Sequence, residues 1–197
     1  MSTDPRPHAD EGPAAPLALT VVLAHLDVSD SEDVLRSLAG RLLDAGAVTL
    51  DFPEALRTRE RTYPTGLPTP IPSAIPHADP QHVLVPGLAV ATLVRPVTFG
   101  EMGTRDGTVD VRLVAMPLLT DAREHLAALQ QLMSLLSDEV AVQNLLAAPD
   151  DEELRRRFEE RLASILPPTE GPSSGPTDGP AVGPARGDET DAQETGA

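Results

Sequence analysis

The chain has 197 residues, of which 40% are hydrophobic but only 2% aromatic, with no Cys, no Trp and a formal net charge of -16. That length suits one domain with residues to spare, and its core must be built from Leu, Val, Ile and Ala. Without cysteine there are no disulfides, thiolate metal sites or cysteine nucleophiles. An acidic chain so poor in stacking rings argues against nucleic acid and against direct binding to an anionic membrane.

In chain order, residues 1–16 are expected to form a flexible segment. They lack a basic stretch followed by an apolar run, so they do not read as a secretory signal. Nowhere does an apolar stretch approach the roughly 20 residues that span a bilayer. The expected location is therefore cytoplasmic. The charge is unevenly spread: residues 1–16 carry -2 and residues 167–197 carry -5, which leaves -9 of the total -16 in between. A net negative domain favours encounter with a basic partner.

Residues 17–166 read as a single α/β domain, a mixed, mostly buried sheet flanked by helices. Residues 17–26 are rich in Val and Leu and predict a strand. Ser29 and Glu32 have capping-box spacing. Val34, Leu35, Leu38, Leu42 and Leu43 then recur at helical spacing, which carries a helix to Ala45. Asp51 and Glu54 signal a second helix, ending near Arg61. Residues 63–76 hold five prolines and must be loop or extended backbone. Residues 87–94 and 109–118 are short apolar runs between turn signals, as strands covered on both faces require. Three helices follow, over residues 121–136, 138–147 and 150–166. Residues 167–197 are rich in Pro, Gly, Ser and Thr and contain no Leu, Ile or Phe. They predict a disordered tail, because too little apolar surface is available to offset the entropy of ordering.

The chemistry-bearing stretch runs from Arg57 to Asp79. It places cations at a helix end, then a proline-stiffened loop, then His77 between Pro76 and Ala78. Imidazole is a good nucleophile near neutrality because its unperturbed pKa is about 6.5. A guanidinium offers a planar fork of donors matched to phosphate oxygens. Histidine with a nearby arginine is thus a plausible phosphoryl-accepting pair, although a loop histidine is commonly just a loop residue.

The segments Arg59-Glu60-Arg61, Tyr63-Pro-Thr-Gly-Leu67 and Ala74-Ile-Pro-His77 together resemble the active-site region of the fructose/mannitol-type enzyme IIA family. This is the enzyme IIA component of the bacterial phosphoenolpyruvate-dependent sugar phosphotransferase system. The Tyr-Pro-Thr-Gly-Leu form is similar to its galactitol branch, as are Asp79-Pro-Gln-His-Val-Leu84 and Arg95-Pro-Val-Thr-Phe-Gly-Glu-Met-Gly103. The likeness covers residues 17–166. The stretch between Arg59 and His77 is slightly longer than in the mannitol branch and richer in proline.

The resemblance implies that His77 receives a phosphoryl group from phospho-HPr and passes it to a cysteine of enzyme IIB. It also implies that Arg59 stabilises charge on the moving group and that His125 supports the site from a later helix. By spacing, His125 shares a stripe with Leu129, Leu132 and Leu136, and read by itself it is a core histidine. The resemblance calls for no cofactor. Because this chain has no cysteine and no membrane span, enzyme IIB and the membrane IIC permease must be separate chains.

Other candidates carry two readings each. Glu60 either orients Arg59 or pairs on the helix surface. Thr65 and Gly66 either offer a hydroxyl and backbone N–H groups to the phosphoryl or are turn residues. Asp79 either bonds His77 or caps a turn. His82 reads as a loop residue, His25 as structural and His8 as part of the flexible start. Arg155, Arg156 and Arg157 read as a solvated helix face, with partner docking as the alternative. The main expectation is a sugar-specific phosphoryl carrier for galactitol or a related sugar. The alternative is a regulatory domain of the same kind, which senses phosphorylation and binds partner proteins without feeding transport.

Overall fold

The computed structural model describes residues 18–120 and 122–165, the side chains of residues 122–128 excepted. The expectations for the two chain ends and for His8 lie outside the described residues.

Five strands form one sheet: β1 (Leu19–Leu26), β2 (Gly66–Leu67), β3 (Ser73–Ala74), β4 (Gly87–Gly100) and β5 (Thr108–Leu118). Their spatial order is β1-β4-β5-β3-β2. β1 runs parallel to β4 and β3 parallel to β5, while β4 with β5 and β2 with β3 are antiparallel. The helices are α1 (Ser31–Asp44), α2 (Phe52–Thr62), α3 (Ala122–Leu136), α4 (Glu139–Leu146) and α5 (Asp151–Ile165). This is the expected mixed α/β domain.

Alternation along the central strands divides the core in two, because successive side chains leave a strand on opposite faces. Ala89 and Ala91 of β4, with Val114, Met116 and Leu118 of β5, pack with Val34, Leu35, Leu38 and Leu42 of α1 and with Phe52 and Leu56 of α2. Leu88 and Val90, with Leu113 and Ala115, pack with Leu132, Leu135 and Leu136 of α3, Val142 and Leu145 of α4, and Leu154, Phe158 and Leu162 of α5. With so few rings available, branched aliphatic side chains fill both layers.

Two expectations change. The cap of α1 is Asp30, not Ser29: its Oδ1 accepts the Asp33 N–H at 2.8 Å. A carboxylate one residue later satisfies the same orphan N–H groups, and Glu32 instead pairs with Arg61. β4 also runs to Gly100, past the expected end at Val94. The register with β5 shifts between Thr92 and Val97, an irregularity that holds Pro96, whose missing N–H cannot serve a regular ladder. The proline-rich stretch is extended as expected, and it contains the two-residue strands β2 and β3.

Candidate functional site

The path to the site is set by β2, β3 and the end of α2. The helix stops at Thr62, and Tyr63-Pro64-Thr65 leads straight into β2. β2 turns back on β3, with Gly66 opposite Ala74 and Leu67 opposite Ser73. β3 aligns Ala74 with Val114, so the chain leaving it carries Ile75, Pro76 and His77 toward the C-terminal end of β5. Arg59 and Glu60 in the last turns of α2 thus come near the loop that follows that helix.

His77 is 7% exposed. Its Nδ1 lies 2.9 Å from the Ile75 carbonyl oxygen. A carbonyl only accepts, so Nδ1 carries the ring hydrogen, and in the neutral ring Nε2 holds the lone pair. Pro76 fixes its own φ and restricts Ile75 to extended backbone, which limits how far that carbonyl can swing. The sequence thereby builds a histidine with a defined tautomer.

Arg59 reaches the same region. Its Nε stands 3.5 Å from Asp79 Oδ1, with the two side chains 27% and 68% exposed. Its guanidinium carbon lies 6.0 Å from the Tyr63 ring centroid, at the outer limit of a cation–π contact. Asp79 therefore does not cap the turn at Pro80–His82, where no side-chain cap bond forms, but faces Arg59.

The hydrogen bonds of Glu60 go to Thr65. Its Oε1 accepts the Thr65 N–H at 2.9 Å and its Oε2 accepts the Thr65 hydroxyl at 2.7 Å. Burial pushes its carboxyl above the usual range, while the Thr65 hydrogen bonds and nearby Arg59 pull it back. Thr65, 1% exposed, has committed both of its donors to that carboxylate. Gly66 is wedged against the neighbouring strands: a Cβ there would stand 2.5 Å from Val109 Cγ2 and 2.6 Å from the Gly100 oxygen. His125 falls in α3 by sequence, but its side chain lies outside the described residues.

His82, His25 and Arg155 to Arg157 have partners within the fold. His82 Nδ1 is 3.3 Å from Asp51 Oδ1, which ties the segment after His77 to the α1–α2 connection. Spacing gave no sign of that pair, because the partners lie far apart in sequence. His25 has a left-handed φ of 54° and bonds the Ala148 oxygen through Nε2 at 2.7 Å. Arg156 and Arg157 pair with Glu153 on the face of α5, and Arg155 donates to the Leu19 carbonyl at 2.6 Å. Among the described residues no group of three or more His, Cys, Asp or Glu is placed to hold a metal ion. No described helix is long and apolar enough to cross a membrane.

A buried histidine whose Nδ1 faces a carbonyl, with an arginine facing the aspartate two residues further on, is an arrangement suited to taking a phosphoryl group. Residues 17–161 match the family model described as "Phosphoenolpyruvate-dependent sugar phosphotransferase system, EIIA 2". The chain belongs to that enzyme IIA family. It is by membership a phosphotransferase domain, with the expected fold. Over 129 residues this enzyme IIA domain is 33% identical to the multiphosphoryl transfer protein of Salmonella typhi, covering 65% of this chain. The chain spans 32% of the length of that curated relative. Its fold is similar to the complex of enzyme IIAMTL and phosphorylated enzyme IIBMTL from Escherichia coli, with a TM-score of 0.58 and 23% identity over 74% of this chain and 94% of that one. It is also similar to the nitrogen regulatory protein IIA-Ntr of Neisseria meningitidis, with a TM-score of 0.54 and 25% identity over 71% and 95% of the two chains.

Proposed function

We propose that this enzyme IIA domain is the phosphoryl carrier of a sugar phosphotransferase system and carries its phosphoryl group on Nε2 of His77. Phospho-HPr is the donor, and a cysteine of a separate enzyme IIB is the acceptor. The Nε2 lone pair forms the new N–P bond as the donor's N–P bond breaks, and that electron pair returns to the donor ring. In the second step the cysteine thiolate attacks phosphorus and His77 recovers its lone pair. The observation that carries the reading is the Nδ1 contact with the Ile75 carbonyl. It directs the nucleophilic lone pair to one nitrogen before any partner arrives, and positioning is most of what phosphoryl transfer asks of a protein.

Arg59 is assigned to the equatorial phosphoryl oxygens, with Asp79 and Tyr63 holding its guanidinium. His125 is assigned as a second histidine supporting the site. Glu60 at the end of α2, with Thr65 and Gly66 where the chain enters β2, is assigned to shaping the site. The Tyr63-Pro-Thr-Gly-Leu67 form supports galactitol or a related sugar as the transported substrate, moved by a separate IIC permease. A second reading is favoured by the likeness to IIA-Ntr: phosphorylation of His77 then regulates a bound partner and feeds no transport.

The test is incubation with phosphoenolpyruvate, enzyme I and HPr. An acid-labile phosphoryl adduct is expected on the wild-type chain and is expected to vanish in His77→Ala. Label that persists in that variant removes His77 from the role, and a wild type that takes none ends the carrier reading. Restored sugar uptake in cells lacking their own component separates transport from regulation.

A further inference from the structure

We infer that Glu60 is a positioning residue: acting through Thr65, its carboxylate fixes which nitrogen of His77 holds the lone pair. The inference rests on His77 being the phosphoryl acceptor and adds how that acceptor is prepared. Four contacts form an unbroken relay. Glu60 Oε1 accepts the Thr65 N–H at 2.9 Å and Oε2 accepts the Thr65 hydroxyl at 2.7 Å. The Thr65 carbonyl accepts the Ile75 N–H at 3.2 Å. The Ile75 carbonyl then accepts the hydrogen on His77 Nδ1 at 2.9 Å.

Each joint of the relay is confined. Thr65 and Ile75 are both buried, so neither backbone has water to turn to if its partner moves. Thr65 gives both donors to a single carboxylate, which fixes its side chain and the Pro64–Thr65 peptide plane, leaving the Thr65 ψ angle as the joint to its carbonyl. The next residue, Gly66, packs against Gly100 and Val109, and its carbonyl accepts the Met102 N–H at 2.8 Å, so the β2–β3 pair cannot slide to accommodate a displaced Thr65. Pro76 removes the remaining slack on the far side of Ile75. Glu60, Thr65 and Ile75 act on the moving phosphoryl group only through His77. The effect of the relay is to keep hydrogen on Nδ1, so that Nε2 meets phosphorus with its lone pair and no prior proton shift.

The relay also explains why these residue types stand five apart. A carboxylate in the last turn of a helix reaches back over the chain that leaves it, and threonine supplies a hydroxyl beside its own amide. Two donors in that arrangement match two carboxylate oxygens.

Two substitutions and a rescue test this. Thr65→Val removes the hydroxyl at nearly constant volume, Glu60→Gln turns one acceptor into a donor, and Thr65→Ser keeps the hydroxyl. Long-range 1H–15N spectra of the intact chain read the His77 tautomer, phosphoryl uptake from phospho-HPr reads function, and thermal unfolding checks the fold. The wild type and Thr65→Ser are expected to show hydrogen on Nδ1 alone. Thr65→Val and Glu60→Gln are expected to show a mixed tautomer and uptake slower by about tenfold or more, as a misaimed nucleophile requires, with cooperative unfolding retained.

An unchanged tautomer in both variants overturns the inference, and so does a tautomer change seen only where cooperative unfolding is lost. The two readings fail separately. A wild type that takes no phosphoryl ends the carrier reading while the tautomer still judges the relay. Normal uptake with an unmoved tautomer ends the relay and leaves the carrier.

Discussion

At the scale of single residues, the site depends on close backbone approach as much as on charged groups. Gly66 shows why. Its neighbours leave no room for a methyl group, with Val109 Cγ2 at 2.5 Å and the Gly100 oxygen at 2.6 Å from where a Cβ would be. Gly66→Ala must therefore push β2 away from its neighbours. The expected cost is about 1–3 kcal/mol, the usual range for overpacking, read as a lowered midpoint in urea unfolding. An unchanged midpoint would mean that the strands give way more easily than their contacts imply. The motif residues Arg59, Glu60, Thr65, Gly66 and His77 were all identifiable in sequence, but their contacts were not. Periodicity places a residue on an element. It says nothing of which loop atom a carboxylate will meet, so the bonds from Glu60 to Thr65 and from His82 to Asp51 emerged only in three dimensions.

At the scale of elements, the helices were legible because their apolar spacing is strong. Leu154, Phe158 and Leu162 lie on one stripe of α5 and all three are buried. Boundaries were less so. Adjacent Ser29 and Asp30 offer equivalent caps, and Arg95-Pro96 reads as the end of a strand when it marks an irregularity inside one. On the outer face of α5, Glu153 lies beside Arg156 and Arg157, whose hydrogen bonds hold its carboxyl at about 2, below the ordinary 4.5. A carboxyl depressed in the folded state adds stability that is complete above its unfolded value and is lost as pH falls through the folded one. Glu54 and Asp51 shift in the same direction. Acid titration of the wild type should therefore lower stability as pH drops from about 4.5 toward 2. Glu153→Gln should flatten that slope, more at low salt than at high, since the pairs are partly exposed. An equal slope in the variant would show that these pairs add nothing.

For the whole molecule, the three-layer arrangement explains how a chain with 2% aromatic residues supports a site of fixed geometry. Both faces of the sheet are covered, so residues 88–91 of β4 and 113–118 of β5 read as continuous apolar runs, and the class of fold followed from sequence. The strand order did not, since β2 and β3 are two residues long and carry no period of their own. It is these short strands, added at the sheet edge beyond β5, that carry the chain to His77 at the end of the central strands and on to Asp79, which faces Arg59. These 197 residues hold no cysteine, so on the proposed route the accepting thiolate lies outside them. The central claim is that the intact chain carries phosphorus on one nitrogen of one histidine. Nuclear magnetic resonance of the 15N-labelled, phosphorylated protein measures this directly through coupling between phosphorus and the imidazole nitrogens. The expected result is phosphorus on Nε2 of His77 with hydrogen retained on Nδ1; phosphorus on Nδ1, or on any other residue, would contradict the account.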